Sequence, residues 1–91
     1  MLRITTRVDP TETVLELEGK LAGLWVEELE RCWEKWLTEN RRVKVVLKAV
    51  SFIDLTGKML LARMHRTGTA LEGDGCMTRA IIEVITAGDK I

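Results

Sequence analysis

The chain has 91 residues, which is enough for one domain with a small hydrophobic core. Its 14 basic and 14 acidic residues balance, and it contains one Phe, three Trp and no Tyr, so its composition favours neither nucleic acid nor an anionic membrane surface as a ligand. The first residues lack the apolar segment of a signal peptide, and no apolar run is long enough to span a membrane. The two cysteines, Cys32 and Cys76, lie far apart, as is common in a reducing compartment. We therefore expect a single domain over residues 1–91 in the cytoplasm.

Two stretches near the start alternate between apolar and polar side chains, the pattern of half-buried strands. They cover residues 2–8 and 13–21, and the turn between them contains Pro10. An antiparallel hairpin would bring both apolar faces to one side and pair opposite charges on the other. The predicted pairs are Val8 with Thr13, Ile4 with Leu17, and Arg3 with Glu18.

Residues 24–40 have the clearest helical pattern in the chain. One arc of this helix is apolar and the opposite arc is charged, as expected for a helix packed on a sheet. The apolar arc contains Trp25, Leu29, Cys32, Trp33 and Trp36, with Val26 and Leu37 at its edge. Either all three tryptophans belong to the core, or one indole reaches the surface and forms part of a site for a partner.

Residues 43–52 are apolar on both sides, which predicts a central strand covered at least in part on both faces. Val45, Leu47 and Ala49 would share one face, and Val46 and Val50 the other. Because a helix separates this strand from the hairpin, we expect a right-handed crossover and a parallel strand pair.

A second helix is predicted from Thr56 to Thr67, with Gly68 as its C-terminal stop. Residues 69–71 could form a short edge strand, and residues 72–75 read as a turn. Residues 77–86 have the composition of a strand and the spacing of a helix. We favour a helix that stops at Gly88. The sequence therefore predicts an α/β domain with a small mixed sheet of about four strands and three helices.

The segment Phe52-Ile53-Asp54-Leu55-Thr56-Gly57-Lys58-Met59 joins the central strand to the second helix. Asp54 and Thr56 are both side chains that favour the start of a helix, and Gly57 leaves the backbone sterically open. Such junctions are where α/β proteins commonly place their chemistry or their partner contacts. The alternative is a well-capped turn without a function of its own.

Known catalytic and metal-binding patterns do not fit the sequence. One histidine, His65, and two separated cysteines cannot supply the clustered ligands of a zinc site. Thr56-Gly57-Lys58 lacks both the earlier Gly and the following Ser or Thr of a phosphate-binding loop. No Ser/His/Asp or Cys/His set can be built around a histidine on a helix, and the glutamates read as solvated faces. We therefore expect no metal, no cofactor and no enzymatic activity.

The order of elements and the Asp-x-Thr-Gly junction resemble the STAS domain, the family of sulfate transporter and anti-sigma factor antagonist domains. The resemblance spans essentially the whole chain and implies the order β-β-α-β-α-β-α. It is carried by Gly19-Lys20-Leu21, Val45-Val46-Leu47, the segment from Phe52 to Gly57, and Leu60-Leu61.

The resemblance implies a protein-binding module without catalytic activity. Free-standing members bind an anti-sigma factor that is also a protein kinase, and this kinase phosphorylates a Ser or Thr at the junction. Here the usual acceptor position holds Leu55, which has no hydroxyl, so we expect the usual phosphoserine switch to be absent. Thr56 and, more weakly, Ser51 stay as possible phosphorylation sites. Thr56 would lose its function as a helix cap if it were phosphorylated.

We expect the partner to contact Asp54, Leu55, Thr56, Gly57 and Lys58, with Leu55 as an apolar contact. The resemblance implies an anti-sigma factor or kinase-like partner and a role in transcription regulation. The alternative is an accessory STAS subunit of a transporter assembly for lipids or anions, so that the partner would be a transporter subunit. A homodimer is also possible. Nucleic-acid binding and direct membrane insertion are not expected.

Overall fold

The computed structural model describes residues 1–73, 80 and 82–84. Its elements are β1 (Leu2–Val8), β2 (Glu12–Leu21), α1 (Leu24–Thr38), β3 (Arg42–Ile53), α2 (Leu55–Thr67) and β4 (Ala70–Gly73). The strands form one sheet in the order β1-β2-β3-β4, in which β1 and β2 are antiparallel and the other neighbours are parallel. The predicted mixed α/β sheet is confirmed. Residue 80 and residues 82–84 are helical, as expected for the third helix.

The predicted hairpin register is confirmed. Val8 lies opposite Thr13, and the pairs Ile4–Leu17 and Arg3–Glu18 follow from it. The outer face of the sheet is charged. It carries ion pairs of Arg7 Nε with Glu16 Oε1 at 3.2 Å and of Lys44 Nζ with Glu72 Oε1 at 3.0 Å.

Strand β3 contains two extra residues relative to β2. Leu17 pairs with Leu47 but Glu18 pairs with Ala49, and a second shift falls between Gly19 and Lys20. A bulge of this kind leaves one residue unpaired and reverses the faces that follow it. The predicted faces of β3 are therefore wrong beyond Leu47: Ala49 is exposed, and Val50 packs against the core.

The core lies between the inner face of the sheet and helices α1 and α2. The fully enclosed side chains include Leu15, Leu17, Val45, Leu47, Leu61 and Met64. Among the described residues, these two helices cover the inner face only, so the prediction that β3 is covered on both faces is not confirmed for the part of the chain described. Val46, on the outer face, lies between Glu16 and Glu72 and is half-buried.

Helix α1 buries Val26, Leu29 and Trp33. Trp33 is 2% exposed, and its indole Nε1 donates a hydrogen bond of 2.9 Å to the hydroxyl of the buried Thr69. Cys32, Trp36 and Leu37 pack against the core from its edge. Of the two alternatives for the tryptophans, the exposure favours the second, because Trp25 is 38% exposed.

Arg63 of α2 joins the two helices. Its Nη1 lies 2.8 Å from Glu30 Oε2, and its Nη2 lies 3.0 Å from Glu34 Oε1. The guanidinium also stands 5.1 Å from the centre of a Trp33 ring, at the distance of a cation–π contact. One side chain of α2 therefore holds three side chains of α1. We call this cluster the Arg63 clamp.

The predicted ends of the elements differ by a few residues from those observed. Helix α1 ends at Thr38, because Asn40 adopts a left-handed backbone with φ 59°. Gly68 terminates α2 in the left-handed conformation with φ 99°, as predicted. Glu72 and Gly73 belong to β4 and not to a turn, while Asp74, Gly75 and most of 77–86, with Gly88, lie outside the described residues. Neither α1 nor α2 is both long and apolar enough to cross a bilayer.

Candidate functional site

The carboxyl ends of the parallel strands β2 and β3 meet the amino ends of α1 and α2 at one edge of the sheet. We call this region, formed by residues 22–25 and 52–59, the corner. Its position follows from the parallel pairing: each of these strands leads into a helix at the same edge, and each helix begins there. The five predicted partner-binding residues, 54–58, all lie in it.

Asp54 is the N-cap of α2 and also links α2 to α1. Its Oδ1 accepts hydrogen bonds of 2.8 Å from the Gly57 backbone N–H and 2.8 Å from the Thr56 hydroxyl. Its Oδ2 accepts a hydrogen bond of 3.0 Å from the backbone N–H of Gly23, the N-cap residue of α1. The carboxylate therefore receives three donors from two helix starts, an arrangement that we call the Asp54 bridge.

The prediction that Thr56 caps the helix is wrong. Its hydroxyl is committed to donating to Asp54, and the accepting side chain at the N-cap is that of Asp54 itself. The hydrogen bonds from Gly23, Gly57 and Thr56, in that order, lower the pKa of the Asp54 carboxyl. The carboxylate is therefore the favoured form, and it serves as an acceptor that holds the corner together.

Gly57 is buried because the first turn of α2 lies directly on the end of β2. A Cβ atom at this position would stand 2.8 Å from the Leu21 carbonyl oxygen and 2.9 Å from Ile53 Cγ2. The sequence suggests only an open backbone here, whereas the structure shows a close contact between helix and strand. Gly57 and Asp54 therefore build the corner, while the side chains of Leu55, Thr56 and Lys58 face outward.

Five large apolar side chains of the corner are exposed. They range from 38% exposed for Trp25 to 76% for Leu24, and Leu55 is 72% exposed. The full set, which we call the corner patch, is Leu24, Trp25, Phe52, Leu55 and Met59. Leu24 and Leu55 are the first residues of their helices and directly follow the two hydrogen-bonded residues of the Asp54 bridge.

Sequence reasoning named Leu55 of this set as a partner contact, and it raised the possibility that one tryptophan reaches the surface. Phe52 escaped notice because the second bulge of β3, and not simple alternation, sets its face. Met59 follows Leu55 by four residues and so lies on the same side of α2, a spacing visible in the sequence. The Asp54 bridge, which no local pattern reveals, ties the start of α1, with Leu24 and Trp25, to the start of α2.

A groove with a volume of about 470 Å³ extends from the corner between α1 and α2. Its apolar lining includes Val26, Met59 and Leu60, and Glu30 and Arg63 meet within it. On the α2 side it runs from Thr56 to Arg66, a rise of about 15 Å. The corner patch therefore continues into this groove.

The two possible phosphorylation sites differ in their surroundings. The exposed Thr56 hydroxyl is hydrogen-bonded to the Asp54 carboxylate. The Ser51 hydroxyl lies 3.4 Å from the Gly19 carbonyl oxygen, to which it donates, in the second bulge of β3. A phosphate on Thr56 would lose the contact with Asp54 and add a dianion beside a carboxylate.

The described residues bring together no group of three His, Cys, Asp or Glu side chains that could hold a metal ion. The polar groups of the Asp54 bridge are used within the fold, and the surface around them is apolar with scattered charges. Such an arrangement suits contact with another surface.

No family model matches the sequence, and a search of curated proteins finds no similar chain. Solved structures do match. An anti-sigma factor antagonist from Mycobacterium paratuberculosis superposes with a TM-score of 0.82 at 21% identity, over 99% of this chain and 81% of that one. An uncharacterized protein of the DUF3478 family with a SpoIIAA-like fold, from Shewanella loihica PV-4, gives a TM-score of 0.60 at 13% identity, over 91% and 75%. At these identities the likeness shows the fold alone: the chain has the fold of this anti-sigma factor antagonist and of the SpoIIAA-like protein.

Proposed function

We propose that the chain is a non-catalytic protein-binding module of the anti-sigma factor antagonist kind, and that its docking surface is the corner patch. The observation that carries the proposal is the exposure of Leu55, 72%, beside the Asp54 bridge and in the same corner as four other exposed apolar side chains. Exposing this much apolar surface is unfavourable in water, and contiguous exposed patches commonly mark protein contacts.

The docking is not controlled by phosphorylation of the corner. Leu55 has no hydroxyl, and the Thr56 hydroxyl is already a donor to the Asp54 carboxylate. Phosphorylation of Thr56 would remove that hydrogen bond and place two negative groups side by side, so it would disturb the fold of the corner as well as its surface. Phosphate mapped to Thr56 or Ser51 in cells would contradict this part of the proposal.

The partner that we propose is a cytoplasmic anti-sigma factor with a kinase-like domain, through which the chain would regulate transcription. The fold of the solved anti-sigma factor antagonist supports this choice. STAS domains also serve transporter assemblies, so the alternative partner is a subunit of a lipid or anion transporter. Identification of the captured protein as an anti-sigma factor or as a transporter subunit distinguishes the two alternatives.

The test compares capture by the wild-type chain, Leu55→Asp and Val8→Asp in an extract of the source cells. Val8 is a matched control because it is an exposed apolar side chain, 56% exposed, on the hairpin. We expect wild type and Val8→Asp to retain an identified partner of one of the two classes, and Leu55→Asp to lose it. Equal capture by all three chains would show that the corner patch is not the docking surface.

A further inference from the structure

Two opposite charges occupy equivalent places on the two helices of the corner. Glu27 follows Leu24 by three residues on α1, and Lys58 follows Leu55 by three residues on α2. Each charge therefore shares a helix face with the exposed leucine that begins its helix. Neither side chain has an ion-pair partner within residues 1–73, 80 and 82–84.

This arrangement is complementary to itself. The leucine of α1 carries an acidic neighbour, and the leucine of α2 carries a basic one, on the two sides of the Asp54 bridge. A two-fold axis near the bridge would set Leu24 and Glu27 of one copy against Leu55 and Lys58 of the other, and would repeat the same contact in reverse. Glu27 and Lys58, which have no ion-pair partner among the described residues, would then pair with each other across the axis.

The size of the patch and the charge of the chain are compatible with such a contact. The corner patch exposes on the order of 600 Å² of side chain, if a large apolar side chain presents about 200 Å² when fully exposed. That value is at the upper end for monomers and below the roughly 800 Å² per partner of a standard interface. The net charge of the chain is zero, so two copies do not repel each other as a whole.

We propose that a second copy of this chain docks on the corner patch, forming a two-fold dimer with Glu27–Lys58 ion pairs. The proposal rests on the proposed function, because it assigns a second occupant to the same docking surface. Dimer formation and partner docking then exclude each other, and the concentration of the chain controls access to the corner in place of a phosphorylated hydroxyl. Because the patch is smaller than a standard interface, we expect a weak dimer, with a dissociation constant on the order of 10 µM.

The test is sedimentation equilibrium of the purified chain from about one-tenth to ten times that concentration. Glu27→Lys and Lys58→Glu should each raise the dissociation constant about tenfold or more, since each change places two like charges opposite each other at both symmetric contacts. The double variant Glu27→Lys/Lys58→Glu should dimerise again. An equimolar mixture of the two single variants should also dimerise, because the two basic side chains of one variant then face the two acidic side chains of the other.

Circular dichroism and thermal unfolding verify that the variants fold, and Val8→Asp should dimerise like the wild type. A wild-type chain that is monomeric over the whole range overturns the proposal. The proposal is also overturned if the single variants dimerise like the wild type, or if their equimolar mixture stays monomeric. If the wild type is monomeric while Leu55→Asp still loses its captured partner, the dimer is refuted and the proposed function stands. If Leu55→Asp keeps its partner although the charge exchange restores dimers, the proposed function fails, and with it the competition for the corner.

Discussion

Asp54 Oδ2 and the Gly23 backbone nitrogen lie 3.0 Å apart, although the two residues are 31 positions apart in the sequence. Through this contact one carboxylate accepts from the starts of both helices. Gly23 has no side chain of its own with which to cap α1. The Asp54 bridge therefore fixes the relative position of the two segments that expose the corner patch.

The Asp54 bridge predicts an acid-dependent loss of stability. The pKa of Asp54 in the folded chain lies below the value of about 3.9 for an unfolded aspartate, owing to the hydrogen bonds from Gly23, Gly57 and Thr56. The stabilisation is complete above about pH 5, declines as the pH falls through the unfolded-state pKa, and is lost below the lower, folded-state pKa. Urea unfolding across this range should show a smaller pH slope for Asp54→Asn. Thr56→Ala, which keeps both backbone donors, should reduce the slope only in part. If Asp54→Asn left the pH slope unchanged, Asp54 would not be the source of the acid-dependent loss of stability.

Gly57→Ala should destabilise the chain by about 1–3 kcal/mol, even though Ala favours helices over Gly by about 1 kcal/mol. The added Cβ would be too close to the Leu21 carbonyl oxygen, at 2.8 Å, and the helix start would have to move. Denaturant unfolding measures the effect. Lys58→Ala, one residue on and facing solvent, is the control and should be near neutral. A Gly57→Ala chain as stable as the wild type would show that α2 can shift without cost.

Thr69→Val should cost about 1–3 kcal/mol, because the buried indole N–H of Trp33 would lose its acceptor while the volume of the side chain hardly changes. Thr69→Ser keeps the hydroxyl and should cost less than Thr69→Val. Chemical unfolding of the three chains gives the comparison. A Val variant more stable than the Ser variant would mean that packing of the methyl groups outweighs the hydrogen bond at this position.

The tryptophans should differ in their accessibility to a collisional quencher. Trp25 is 38% exposed, whereas Trp33 is 2% exposed. Acrylamide should quench one readily accessible component of the wild-type fluorescence, and Trp25→Phe should remove most of that component. If the substitution leaves the accessible fraction as it was, Trp25 is shielded and does not contribute to the corner patch.

The hairpin could be predicted in register from the sequence because two local constraints agreed: the alternation of apolar residues and the pairing of Arg3 with Glu18. The faces of β3 could be predicted only as far as Leu47. Beyond it the strand has two residues more than regular pairing with β2 accommodates, and alternation carries no information about where a bulge falls.

At the corner, the sequence indicated the right segment but not its internal contacts. Asp54 and Thr56 are both good helix-start residues, and the choice between them depends on the Gly23 N–H, which comes from a distant loop. For α1, the apolar arc was wide enough to include Trp25, but the core accommodates a narrower stripe centred on Leu29 and Trp33. Helical periodicity alone does not say how much of an apolar face another element covers.

The Arg63 clamp has a consequence for the kinetics of docking. Helices α1 and α2 are joined by the clamp at mid-length and by the Asp54 bridge at their starts, so the surface between them is preorganised before an encounter. Binding of a partner to that surface therefore costs little conformational entropy for ordering it. Substitutions within the corner patch should therefore act chiefly on the lifetime of a complex, and a chain without the Arg63 guanidinium should associate more slowly as well.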